Sequence, residues 1–333
     1  MKKKRDLSNW EIPTKIQSNK ELLQIATMIK EKTDYFVNDT LGKGGFSMVF
    51  SGLSQYEDDK NQYALKVVNY FDQTEKYVER ERTINNKLKD LVFVVKFHAY
   101  ISMSAKYKLF VLDKADYTLE NLINQEKRKI NGISELKVYF FFSQIVNAVS
   151  AMHDSNIVHR DLKPANILLL NYQIKICDFT TAKELKSSNQ NEEIHTSLGT
   201  ANFNSPEAFN PDLMYQKYLP ATDIFSLGII FYYLFYGCNP YKINEKDDEP
   251  DFKHLIDNIN YNINNRKASD SFIDLFKQLV NLDLEKRITI KKIRNSPWFE
   301  EMKNKLKGIY PKSVTELYNF KECYEYIEKK KLG

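Results

Sequence analysis

The feature that most limits how this chain can fold is a change of pattern between Leu112 and Leu119. Before it, short β-rich segments alternate with turn residues; after it, helical periodicity dominates. Strands are expected over 36–41, 49–53, 63–68, 92–100 and 108–112, with one charge-dense helix over 74–88 between them. Helices are expected over 135–152, 221–236, 270–279 and 288–295. Two uncharged apolar runs, 138–152 and 224–237, lie in this second part. Both are shorter than the roughly 18 to 20 residues that span a bilayer, so they read as helices buried in a large core and no membrane span is expected. The outcome is an α+β chain with a small β-rich part, a larger helical part and extensions at both ends.

The 333 residues suffice for one large domain or two cores. A hydrophobic content of 42% with 28% charged residues belongs to a globular protein and excludes a disordered one. The net charge of +5 is modest, and much of it sits in Lys2-Lys3-Lys4-Arg5 and Lys329-Lys330-Lys331. These clusters read as solvated tails, with no nucleic-acid partner expected. Cys177, Cys238 and Cys323 lie far apart without metal-ligand spacing, which favours a reducing compartment. The basic start is followed by polar residues, so no signal peptide is expected, and the location is read as cytoplasmic with the nucleus left open. The acidic stretch 242–251 reads as a mobile loop, and a short helical pattern surrounds 21–29.

The chemistry concentrates in His159-Arg160-Asp161-Leu162-Lys163-Pro164-Ala165-Asn166. A carboxylate, a lysine two places on and an amide three beyond that suit phosphoryl transfer, where the protein mainly places charge. Asp161 is the candidate acceptor of a substrate hydroxyl's proton, Lys163 the charge neutraliser and Asn166 a metal ligand. The segment resembles the catalytic loop of eukaryotic protein kinases. The two-lobed kinase fold and its cofactors, ATP and Mg²⁺, are what the resemblance implies. It covers about 35–300 and divides the chain into an N-terminal extension (1–34), a kinase domain (35–303) and a C-terminal tail (304–333). Within the domain it implies an N-lobe with one regulatory helix (35–112), a hinge (113–116) and a C-lobe (117–303).

The other motifs follow the family's order. Gly42, Lys43, Gly44, Gly45, Phe46, Ser47 and Val49 resemble the glycine-rich loop, with Ser47 in place of the third glycine; Phe46 would cap its tip. By resemblance, Ala64 packs on the adenine and Lys66 pairs with the α- and β-phosphates. A glutamate of the next helix should orient Lys66: Glu81 by its spacing from Leu88, with Glu79 as the alternative. Leu112 would be the gatekeeper, and Asp113 and Ala115 would offer backbone groups to the adenine edge. Asp178 would chelate Mg²⁺, and Phe179 would pack beneath the glutamate helix. Thr180 stands where the family has glycine, which should make a positive φ there costly and restrict rearrangement.

Further on, Thr200 would hydrogen-bond toward Asp161 and Lys163, Glu207 would pair with Arg287, and Asp223 would brace the catalytic loop. Arg160 implies control by a phosphate on the activation segment, with Thr196 the acceptor, an upstream activating kinase as partner, and Lys183 as a second phosphate ligand. Lys163 followed by Pro164 is the Ser/Thr-type form, so the expected partners are protein substrates with Ser/Thr acceptors. Ala165 and Tyr233, where basophilic relatives carry acids, argue against a strong demand for arginine upstream of the acceptor. Ser296-Pro297-Trp298-Phe299 resembles the ending of calmodulin-dependent-type kinases. The alternative is an ATP-binding pseudokinase scaffold, suggested by Thr180 and Ser47 and opposed by Lys66, Asp161, Asn166 and Asp178. In the tail, Val314, Leu317, Phe320, Tyr324 and Ile327 form a helical stripe that should pack on its own domain or take a partner.

Overall fold

The computed structural model describes residues 3–8, 10–126, 133–185, 200–210, 219–244, 250–309 and 320–329. Met1–Asp90 with Val95–Ala115 form one compact unit, and Leu91–Val94 with Asp116–Gly333 form another.

The first unit begins with two helices, α1 (Thr14–Gln17) and α2 (Lys20–Lys32), followed by β1 (Tyr35–Lys43), β2 (Ser47–Ser54), β3 (Gln62–Asn69), α3 (Asp72–Leu88), β4 (Phe97–Ser102) and β5 (Tyr107–Asp113). The strands form one antiparallel sheet in the order β1-β2-β3-β5-β4. Strand alternation sorts β3 into two sets. Tyr63, Leu65 and Val67 join a core with Met48, Phe50, Leu109 and Val111, while Ala64 and Lys66 stand on the other face.

That core is closed by the N-terminal extension. Ile16 of α1 and Ile25, Ala26 and Ile29 of α2 are fully buried in it. Helix α2 starts where the Asn19 side chain accepts the N–H groups of Glu21 and Leu22, a well-formed N-cap. It is fastened at its end by the Gln55 amide, whose Nε2 donates to the carbonyls of Lys30, Thr33 and Tyr35. The helix read from 21–29 is thus longer than its sequence signal and belongs to the sheet's core. Ile25→Ala is expected to destabilise this unit by about 2–5 kcal/mol through lost burial and a cavity. Urea unfolding followed by circular dichroism checks it; a loss near zero would make α2 a dispensable cover.

Two further expectations change. Residues 3–5 of the basic start are tied down: Lys3 pairs with Glu57 at 2.9 Å, Lys4 with Asp34 at 3.2 Å, and Arg5 donates to the carbonyls of Ser54 and Asp59. The strand read over 92–100 begins only at Phe97. Val92 is exposed, Val94 N–H closes a turn on Leu91, and Val94 bridges to Ile176 instead of extending the sheet. A continuous apolar run does not by itself distinguish a strand from a buried connection.

In the second unit β6 (Tyr117–Thr118), α4 (Leu119–Glu126), α5 (Glu135–Asp154), β7 (Ile157–Val158), β8 (Ile167–Leu170), β9 (Gln173–Ile176) and β10 (Lys183–Glu184) precede α6 (Leu219–Tyr236) and α7 (Phe252–Asp257). β11 (Asn262–Ile263), β12 (Arg266–Lys267), α8 (Asp270–Leu279), α9 (Ile290–Ile293), α10 (Pro297–Ile309) and α11 (Phe320–Lys329) complete it. The helix read over 288–295 shrinks to the single turn α9, because Pro297 opens a new helix at its first position. α6 is long and apolar enough to cross a bilayer, but 83% of that window is buried inside the protein, as a core helix requires. A Cβ at Gly228 would meet Val280 at 2.6 Å and Leu279 at 2.9 Å, so glycine lets α6 approach the end of α8 closely. Phe142, Phe231, Phe272 and Trp298 fill the centre, with Phe231 stacked on Phe272 at 3.9 Å.

The later half of the tail stripe packs on its own unit. Tyr324 stacks on Tyr172 at 4.2 Å and meets Phe140 and Phe141 of α5, Ile327 is fully buried, and Glu328 pairs with buried Lys137. Burial pushes the Cys323 thiol up to about 11, with the Glu322 charge adding to it. Val314 and Leu317 lie outside the described residues, as does 245–249 of the acidic loop.

Candidate active site

Each unit carries part of the expected machinery. In the first, β1 and β2 form a hairpin that pairs Gly42 with Val49 and Lys43 with Met48. Gly44 N–H donates to the Ser47 carbonyl at 2.8 Å and closes the turn. Gly45 and Phe46 form the tip of the turn. Phe46 is 59% exposed and lies edge-on to Phe71 at 6.1 Å. On the core side the loop shares a pocket with Glu21 and Ile25 of α2.

Lys66 Nζ donates to Glu81 Oε1 at 2.7 Å, and Glu81 is buried. Glu79 instead accepts from Arg82 at 3.1 Å and from the Tyr100 hydroxyl at 3.2 Å. The lysine's partner is therefore Glu81, fixed on α3 beside Asn85, whose Nδ2 donates to the Glu81 carbonyl. On β5, Leu112 is buried. Asp113 N–H donates to the Lys96 carbonyl at 3.0 Å, and its carboxylate meets His98 Nε2 at 2.6 Å. Ala115 follows the strand, and among the described bonds its N–H has no acceptor.

In the second unit the catalytic-loop residues converge on the Asp161 carboxylate. Oδ1 accepts the Thr200 N–H at 2.9 Å, and Oδ2 accepts Lys163 Nζ at 2.8 Å and Asn166 Nδ2 at 3.2 Å. Lys163 Nζ also donates to the Thr200 hydroxyl at 2.6 Å, and Asn166 Nδ2 to the Asp161 carbonyl at 2.9 Å. A carboxylate so held has one orientation and a cation already beside it.

The loop backbone is set by Asp223, fully buried at the start of α6. Its carboxylate accepts the N–H groups of His159 and Arg160, each at 2.9 Å, and His153 Nε2 at 2.8 Å. Burial acts to raise its pKa, but the hydrogen bonds and charge of His153 and His159 outweigh it and hold the carboxyl below its usual range. These two N–H bonds support Arg160 at φ 67°, a left-handed conformation costly for a side chain of this kind. His153, at the last turn of α5, escaped the sequence reading, because a histidine at a helix end carries no motif.

Strands β8 and β9 pair Ile167 with Ile176, and Cys177 N–H donates to the Asn166 carbonyl at 3.0 Å. Asn166 and Asp178 therefore sit at the same end of one hairpin. With the Asn166 nitrogen used on Asp161, its oxygen is the end left for a cation. Two oxygen donors with open positions suit Mg²⁺, which keeps waters and phosphate ligands, better than a dedicated protein cage. Among the described residues no cluster of three or more His, Cys, Asp or Glu side chains forms such a cage. Phe179 is fully buried, 5.4 Å from the His159 ring.

Thr180 departs from expectation. The left-handed backbone falls on Asp178, φ 66°, and Thr180 is not among the residues with positive φ. No strain arises at Thr180, and its hydroxyl donates to Asp178 Oδ1 at 2.6 Å. Thr181, also unforeseen, donates its hydroxyl to the His159 carbonyl at 3.0 Å, and its own carbonyl accepts Arg160 Nε at 2.7 Å. Lys183 on β10 pairs with Val158 on β7, which draws it toward the Arg160 end of the loop. Thr196 lies outside the described residues. Farther on, Arg287 grips Glu207 through both Nη groups, at 2.5 and 3.1 Å.

The profile of the family described as "Protein kinase domain" matches residues 35–299. This chain belongs to the protein kinase family. Its first unit is the β-rich N-lobe of that fold, here with α1 and α2 added to α3, and its second is the helical C-lobe. The domain is 31% identical to the serine/threonine-protein kinase ksg1 of Schizosaccharomyces pombe over 295 residues, 83% of this chain and 47% of that protein. It is 29% identical to the probable serine/threonine-protein kinase fhkA of Dictyostelium discoideum over 305 residues, 81% of this chain and 50% of that protein. With the serine/threonine-protein kinase mph1 of Schizosaccharomyces pombe it shares 32% over 212 residues, 60% of this chain and 31% of that protein. The chain thus spans half the length or less of these curated relatives.

Proposed function

We propose that this protein is an ATP-dependent serine/threonine kinase that moves the γ-phosphate of Mg-ATP to Ser or Thr hydroxyls of protein substrates. The observation that carries this reading is the Asp161 carboxylate, held at once by Lys163, Thr200 and Asn166. Asp161 orients the acceptor hydroxyl and takes its proton as the new bond forms. Lys163 balances charge on the phosphoryl group in transit, and Lys66, aligned by Glu81, holds the α- and β-phosphates. Asp178 and Asn166 hold Mg²⁺, which supplies charge neutralisation for the phosphates when bound. Ala64, Leu112, Asp113 and Ala115 form the adenine side. Lys163-Pro164 and the names of the relatives support a Ser/Thr acceptor.

Regulation by a phosphate on Thr196, placed by an upstream kinase, is part of the same reading. Its support is the strand pair that brings Lys183 to the loop holding Arg160. A cytoplasmic setting accords with Cys177, Cys238 and Cys323, which form no disulfide among the described residues.

Transfer of labelled γ-phosphate from Mg-ATP to a generic protein substrate tests the function. Label is expected on phosphoserine or phosphothreonine, lost with EDTA, and lowered about 100-fold in Lys66→Met, which removes a preorganised cation from the phosphates. Transfer by the wild type no greater than by Lys66→Met, even after treatment with an activating kinase, would leave the scaffold reading in its place.

A further inference from the structure

We propose that the Thr180 hydroxyl is a positioning group that fixes the Asp178 carboxylate for divalent-cation binding. The inference rests on Asp178 being a metal ligand. Thr180 Oγ1 donates to Asp178 Oδ1 at 2.6 Å, a short bond to an ionised acceptor. The bond occupies one side of Oδ1 and sets the rotation of the carboxyl group. Glycine at this position would have no side chain with which to do this.

The surroundings make that hold rigid. Asp178 has a left-handed backbone, φ 66°, between a Cys177 N–H bonded to the Asn166 carbonyl and a Phe179 side chain with no exposure. Beyond Thr180 the chain is tied back three times: Thr181 hydroxyl to the His159 carbonyl, Arg160 Nε to the Thr181 carbonyl, and Ala182 N–H to the Phe179 carbonyl. A β-branched residue adds a stiff χ1 where glycine would leave the backbone free. Partners that orient a metal-binding carboxylate typically change metal affinity by about 10–100-fold when removed. Thr180 therefore acts on the metal through Asp178 and need not touch it.

The test reads metal binding, with no turnover. Mn²⁺ is titrated into protein saturated with ADP, and free Mn²⁺ is followed by its electron paramagnetic resonance spectrum. Thr180→Val keeps the shape and removes the donor, and is expected to weaken Mn²⁺ binding about tenfold or more. Thr180→Ser keeps the donor and is expected to restore binding close to the wild type. Thr180→Ala supplies a second donor-free variant should valine lower the melting temperature. Wild-type affinity in Thr180→Val and Thr180→Ala would overturn the proposal, as would a Thr180→Ser as weak as either. Asp178→Asn separates the two layers. If it binds Mn²⁺ like the wild type, Asp178 is no ligand and both readings fall; if it alone loses Mn²⁺, only the role of Thr180 falls.

Discussion

Asp161→Asn is expected to abolish phosphate transfer, lowering kcat by at least about 100-fold while leaving ATP binding near its wild-type strength. Asparagine has the same shape, so the loop held by Asp223 should persist, but it cannot accept the hydroxyl's proton. It also turns one acceptor oxygen into an NH₂ group. In the wild type Oδ1 accepts Thr200 N–H, and Oδ2 accepts both Lys163 Nζ and Asn166 Nδ2. Whichever side the new NH₂ takes, it faces a donor, so Lys163 or Thr200 must shift. The loss is thus both of a base and of the cation's placement. Steady-state kinetics checks it, with ADP binding measured separately. A variant that keeps more than about a tenth of wild-type kcat would remove Asp161 from the role of base.

Much of this arrangement is legible in the chain, and what is not has physical causes. β3 is readable because Tyr63, Leu65 and Val67 alternate with Ala64 and Lys66, and a strand places alternate residues on opposite faces. α2 is readable as a helix, yet its place is not. Ile25, Ala26 and Ile29 define an apolar stripe whether it covers its own sheet or another surface, since periodicity names a face and leaves its partner open. The same ambiguity attaches to Phe320, Tyr324 and Ile327 until the stack on Tyr172 settles where the helix lies.

Motif spacing brings Asp161, Lys163 and Asn166 together because they share one short loop. Hairpin length carries Asp178 to Asn166, for the register of β8 and β9 follows from the turn between them. Spacing fails at Thr180. A side chain where glycine is usual suggests backbone strain, but the motif does not say which residue carries the positive φ. Asp178 carries it, and the threonine is left with a hydroxyl in bonding range. His153 and Thr181 fail for a related reason: each acts through hydrogen bonds to a distant chain segment, and sequence position holds no trace of them.

Glu207→Ala is expected to destabilise the C-lobe by about 3–5 kcal/mol, the cost of leaving one member of a buried ion pair alone. The Arg287 side chain has 0% exposure and that of Glu207 has 2%, and their contact is bidentate. Once the carboxylate is gone, the Arg287 charge keeps, among the described residues, the carbonyls of Asn281 and Ala221 and the face of Phe225, 5.1 Å away. Those dipoles do not replace a full opposite charge. Arg287→Met alone should cost a similar amount by stranding Glu207. The double variant Glu207→Leu with Arg287→Met should cost much less than the sum, because neither charge is then buried unpaired. Urea unfolding followed by Trp298 fluorescence in a Trp10→Phe background reads this lobe alone. A Glu207→Ala loss below about 1 kcal/mol, within the range of exposed pairs, would show that water reaches the pair and that it is no clamp. Activity should fall with stability, since Glu207 lies on the same segment as Thr200. Loosening that segment releases the N–H that holds Asp161.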